Sequence, residues 1–177
     1  MSNGLVLKVC GGVLVLLAGA MVGRHIGSTL SRRLALLEEL CAAFQRLSTE
    51  LTYQANTLAS SFRTTAQDSA TDCAMLLTRV ATNLEKGDGR SVAEVWSQSV
   101  SDWGESAGLR ANQVKSLQLL GPALGRSGRD EQKAHLEATI ARLEVHVAEA
   151  RQERNRLEAF YNQVGLLVAA ALVLLLI

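Results

Sequence analysis

Several things are scarce in this chain, and each scarcity excludes something. Proline occurs once, at Pro122, and the aromatic residues number seven in 177. With almost no β-branched runs beside them, a β-sandwich or barrel is not expected. The 14 glycines are scattered rather than periodic, which excludes collagen-like and Gly-rich linker classes. The three cysteines, Cys10, Cys41 and Cys73, have no metal-ligand or CxxC spacing. An odd, scattered set suits reduced, buried thiols better than a disulfide framework. Net charge is only +1, so nucleic acid is not expected as a partner. The length fits one domain with membrane segments and excludes a large multidomain enzyme.

Catalytic signatures are missing too. There is no Walker A loop, GxGxxG, GxSxG or HExxH. His25, His135 and His146 are the histidines. On one helix, His135 and His146 would share a face but stand about 16 Å apart, too far to share a metal. Glu38 and Glu39 are adjacent and point to different sides of a helix, which is unsuited to a paired-carboxylate site. The expectation is a protein that is not an enzyme and has no cofactor, metal or small-molecule substrate.

The placement of charge says more than its sum. No acidic residue precedes Glu38, and no charge of either sign follows Glu158. Residues 9–23 are uncharged, and 4–8 extend them if the Lys8 ammonium reaches the interface. Residues 159–177 are uncharged; as a helix they span about 28 Å, close to the hydrocarbon thickness. Both segments, 4–23 and 159–177, are therefore read as transmembrane helices. Arg24, Arg32 and Arg33 follow the first, and Arg151, Arg154 and Arg156 precede the second. The positive-inside rule then puts residues 24–158 in the cytoplasm and both ends across the membrane. A competing reading treats the first stretch as a signal peptide, since Ala18-Gly19-Ala20 offers a small-x-small cleavage site. That reading gives a secreted helical protein, and whether residues 1–19 persist separates the two.

The middle reads as all helix. Leu30, Leu34, Leu37, Cys41, Phe44, Ser48, Leu51, Ala55 and Leu58 follow a 4-3-4-3 spacing. So do Leu136, Ile140, Leu143, Val147, Ala150, Arg154, Leu157, Tyr161 and Val164, with only Arg154 breaking the stripe. Both stripes have the coiled-coil period and run without a breaker toward the apolar ends, so the two long helices are expected side by side and antiparallel. Between them lie shorter helices: one over Leu58–Ala66, and one over Thr71–Leu84 with Met75, Leu76, Val80 and Leu84 inward. Gly87 fits a helix C-terminus, and Ser91-Val92-Ala93-Glu94 reads as a capping box. The next helix carries Val92, Val95, Trp96, Val100 and Trp103, with a break bracketed by Gly104 and Gly108. A helix over Leu109–Leu120 follows, and Ser127-Gly128-Arg129-Asp130 opens the last one. The expected fold is all-α, a bundle of about six helices, its first and last helices continuing into the membrane.

The break from Leu120 to Gln132 is the candidate partner-binding surface, comprising Leu120, Gly121, Gly125, Arg126, Arg129, Asp130 and Gln132. Glycine permits tight backbone geometry, Pro122 stiffens the turn, and Asp130 can accept from the amides that open the last helix. An ordinary helix–helix connection uses the same residue types.

Four local patterns carry a resemblance over nearly the whole chain. The small-residue-rich first segment leads through Ser31-Arg32-Arg33 into Leu34-x-x-Leu37. Leu47-Ser48-Thr49-Glu50-Leu51-x-Tyr53 follows. Leu119-Leu120-Gly121-x-x-Leu124-Gly125-x-Ser127-x-x-Asp130-x-Gln132 is the most specific pattern, and Tyr161-x-x-x-Gly165-Leu166 opens the last apolar segment. On these the chain resembles the stage III sporulation protein AB family of endospore-forming bacteria. It departs at Asn56-Thr57-Leu58-Ala59, where that family commonly carries a Pro-containing turn, and in a stretched Ser127–Asp130 connection. The family is similar to the cytoplasmic domain of the platform membrane protein of type II secretion and type IV pilus machines. The resemblance implies a six-helix bundle and a place in the complex that joins mother cell and forespore. It implies, as partners, a secretion-type ATPase and other stage III sporulation membrane proteins, besides membrane lipid. The alternative is a membrane-anchored coiled-coil scaffold or signalling adaptor unrelated to sporulation.

Overall fold

With the single proline at position 122, nothing in the chain interrupts either end, and each end folds as one uninterrupted helix. In a computed structural model, α1 spans Ser2–Tyr53 and α6 spans Arg129–Leu176. The structure describes the backbone of residues 2–53, 57–125 and 128–176, and the side chains of 27–52, 57–125, 128, 130–161, 163–165 and 167. Between the long helices lie α2 (Leu58–Gln67), α3 (Thr71–Lys86), α4 (Val92–Ser106), α5 (Ala111–Gln118) and a 3-10 turn, Gly121–Ala123. Among the described residues the fold is six α-helices with no strand, as the sequence leads one to expect.

Two units divide the chain: residues 33–149, and residues 1–32 with 150–177. The first holds the second half of α1, all the short helices and the start of α6. Here the α1 stripe is confirmed: Leu34, Leu37, Cys41, Phe44, Ser48 and Leu51 are buried. A second stripe, Leu36, Leu40, Ala43 and Leu47, is buried beside it. The two stripes together make one broad buried face of α1, while Ala35, Glu38, Gln45 and Thr49 on the opposite side are exposed. The stripe stops at Leu51. The helix ends at Tyr53, Ala55 lies outside the described residues, and Leu58 begins α2, where the Thr57 hydroxyl accepts from Ser60 N–H at 3.2 Å. On α6, Leu136, Ile140 and Leu143 are buried and Val147 half-buried; beyond this unit Ala150 is buried, but Leu157 and Tyr161 are only half-buried and Val164 is exposed, so the stripe is not buried to its expected end.

Local signals hold well. Gly87 ends α3 in the left-handed conformation at φ 61°. Ser91 and Glu94 form the capping box, with Ser91 N–H donating to Glu94 Oε2 at 2.7 Å and Glu94 N–H to Ser91 Oγ at 3.2 Å. These bonds hold the Glu94 carboxyl below its ordinary range. Its share of stability is thus present at neutral pH and lost on acidification through that lowered pKa.

Three expectations are corrected. Met75 is 59% exposed; the buried face of α3 is Cys73, Leu76, Leu77, Val80 and Ala81. Gly104 breaks nothing, because α4 continues to Ser106 and the turn falls at Gly108, φ +76°. The helix expected over Leu109–Leu120 covers only Ala111–Gln118.

Cys41 and Cys73 are free and buried, and Cys10 lies outside the described side chains. Burial pushes the Cys41 thiol up to about 11, helped by Glu144 and Glu38, and the Cys73 thiol up to about 12, helped by Glu39. Neither thiol reacts appreciably at neutral pH while the domain is folded, and both react on denaturation. A thiol whose pKa rises on folding removes stability as pH climbs above its ordinary value. Melting temperature should therefore fall with pH above about 9, and less steeply in a Cys41→Ala/Cys73→Ala variant.

Residues 4–23 and 159–176 are helical in backbone within α1 and α6, but most side chains of the two expected segments lie outside the described residues. Among the described residues no helix is long and apolar enough to cross a membrane.

Candidate docking site

Trp96 explains why the Leu120–Gln132 connection takes its course. It is fully buried on α4, stacked on Phe62 of α2 (ring centroids 5.7 Å, 21°) and tilted against Phe44 of α1 (5.9 Å). Its indole Nε1–H donates to the Leu117 carbonyl at 2.8 Å, which fixes the end of α5 over α4. The chain then turns through Gly121–Ala123, with Pro122 at the start of the 3-10 turn, Ala123 N–H donating to Leu120 O at 3.1 Å and Leu124 N–H to Gly121 O at 3.0 Å.

Two glycines set how closely this turn lies on α4. A Cβ on Gly121 would stand 3.1 Å from Trp96 Cδ1 and 3.3 Å from the Ala93 carbonyl. Gly125 has φ +80°, and a Cβ there would stand 2.8 Å from Val92 Cγ2. Gly125→Ala should therefore cost about 1–3 kcal/mol. Gly128→Ala, with no atom within 4 Å of the new Cβ, should stay within about 0.5 kcal/mol of wild type. Chemical denaturation of the two variants measures the difference.

The seven candidate residues divide accordingly. Leu120, at 1% exposure, and Gly121 are buried and hold the turn in place. Gly125 and Asp130 are exposed and Gln132 is half-buried, with Gln132 N–H donating to Gly128 O at 3.0 Å. Asp130 stands in the first turn of α6, where a carboxylate is favoured by the helix dipole. Arg126 lies outside the described residues, as does the side chain of Arg129. The surface open to a partner is thus the outer part of the segment.

Two polar arrangements carried no sequence signal, because they join distant positions. Glu39 Oε1 accepts from Arg46 Nη2 at 2.8 Å and from Ala70 N–H at 3.2 Å, and Arg46 Nη2 donates to Ser69 Oγ at 3.2 Å, pinning the α2–α3 turn to α1. His146 links α6 to α5: its Nε2 lies 3.0 Å from Ser116 Oγ and its Nδ1 3.2 Å from Glu149 Oε2. Ser116 Oγ also donates to the Asn112 carbonyl of its own helix at 3.0 Å, which occupies its proton in a structural bond. His135, on the exposed face, lies 3.9 Å from Glu131. Among the described residues no three His, Cys, Asp or Glu side chains are grouped to hold a metal.

A helical bundle with a glycine-tightened turn seated on a buried tryptophan is the class of domain the described residues build. Its sequence matches the family model of stage III sporulation protein AB over residues 8–177, and the chain belongs to that family. It is 26% identical, over 170 residues, to stage III sporulation protein AB of Bacillus subtilis (strain 168), covering 96% of this chain and 99% of that protein. A solved structure of stage III sporulation protein AB (SpoIIIAB) is similar in fold, with TM-score 0.65 and 26% identity, covering 71% of this chain and 98% of that one.

Proposed function

We propose that the chain is a membrane-anchored adaptor in a secretion-like sporulation complex joining mother cell and forespore. It is anchored by residues 4–23 and 159–177, with 24–158 in the mother-cell cytoplasm. The observation that carries this reading is the family match, which runs from residue 8 to residue 177 and so includes both apolar ends. Charge supports it, since six arginines flank the two ends on their inner sides. Family membership also weighs against a scaffold unrelated to sporulation. The partners are a secretion-type ATPase, other stage III sporulation membrane proteins and membrane lipid.

The buried thiols are poor reporters of topology, so the test uses an exposed position. In a Cys10→Ser/Cys41→Ala/Cys73→Ala background, Gln98→Cys on the exposed side of α4 should resist an impermeant maleimide in intact cells and react after permeabilisation. Labelling in intact cells would reverse the orientation. Docking at the connection predicts that Arg126→Glu with Arg129→Glu leaves the domain folded by circular dichroism and abolishes co-purification of the ATPase. Wild-type recovery with wild-type salt dependence would remove the connection as the docking surface.

A further inference from the structure

The docking part of the proposed function can be carried further, and the following rests on it. From Ser106 to Arg129 the chain has four basic residues, Arg110, Lys115, Arg126 and Arg129, and no acidic one, although the whole chain is nearly balanced at 18 against 17. This stretch includes all of α5 and the 3-10 turn. Its inward side is well filled: Gln113, Leu117, Leu120, Ala123 and Leu124 are buried. Its outward side is a ridge at helical spacing, Ala111, Lys115, Leu119 and Pro122, all exposed, with Leu119 at 52%.

We propose that this ridge is the contact face for an acidic surface of a partner protein, with Leu119 as its apolar centre. An exposed leucine one helical turn from an exposed lysine, in a stretch with no acidic residue, suits an interface anchor: the apolar side chain fills a pocket, and the basic charge selects and steers the partner. Charge disfavours a second copy of the same face, since a two-fold contact would bring the basic side chains together. A bilayer is also disfavoured, because one leucine beside an alanine and a proline offers too little apolar area to hold a helix in the interface.

The experiment places a photo-crosslinking amino acid at position 119 of the full-length protein in sporulating cells. The expected result at 119 is an adduct whose partner peptide is acidic, with a yield that falls about fivefold in Lys115→Glu and falls with added salt. Lys115 is exposed, and circular dichroism should show that the variant is folded. An adduct to lipid, an adduct to another copy of this chain, or a yield indifferent to Lys115→Glu overturns the proposal. So does the absence of any adduct at 119. In that case co-purification of the ATPase with the full-length protein leaves the adaptor reading standing, and the absence of both adduct and co-purification removes the two together.

Discussion

Leu143→Asp should leave the 33–149 unit without a cooperative thermal transition. Leu143 is fully buried on α6, between Ile140 and Val147 on the stripe that faces the core. Removing the leucine side chain alone costs about 2–5 kcal/mol. The carboxylate then either stays charged in an apolar setting or takes up a proton, and either way adds several kcal/mol. A domain stable by about 5–15 kcal/mol has little left after such a loss. Glu144→Ala, one position along and exposed, should change stability by less than about 0.5 kcal/mol. Circular dichroism melts of the two variants decide the matter. Equal midpoints would mean that the 136–140–143 stripe does not face the core.

How much of this was readable in advance depends on the range of the interaction. The capping box at Ser91 and the glycine stop at Gly87 are written in three or four adjacent residues, and they fold as read. The stripes are legible over Leu34–Leu51 and Leu136–Ala150, where a heptad spacing repeats over several turns, and fail beyond those bounds. The spacing could not say how many neighbours α1 has, so the second buried stripe at Leu36, Leu40, Ala43 and Leu47 was missed. Gly104 was misread as a break because glycine usually weakens a helix. Its reason is tertiary: a Cβ there would stand 2.6 Å from Val114 Cγ2, so glycine lets α5 approach α4. The candidate docking segment is legible as a connection from its turn residues, which do not mark its sides. Only the fold separates Leu120 and Gly121, which face α4 and the core, from Leu119 and Pro122, which face outward.

Trp96→Ala should be the most damaging single truncation, and its effect should reach the candidate docking site. The side chain meets Phe44 from α1, Phe62 from α2, the Leu117 carbonyl at the end of α5 and the Gly121 turn. Truncating a buried tryptophan costs about 3–5 kcal/mol. The Leu117 carbonyl would lose its indole donor as well, a further cost of about 1–3 kcal/mol that does not add fully to the first. Trp96→Phe keeps a ring between Phe44 and Phe62 and removes only the N–H and one ring of the indole, so it should fall between wild type and Trp96→Ala. Trp103 provides the comparison: its Nε1–H donates to the Asp72 carbonyl at 2.8 Å, tying α4 to α3 and leaving the connection alone. Hydrogen exchange distinguishes the two sites. In Trp96→Phe the amides of Ala123 and Leu124 should lose protection faster than those of α3, and in Trp103→Phe the order should reverse. The same exchange pattern in both variants would mean that Trp96 does not hold the turn, and that its burial serves the core alone.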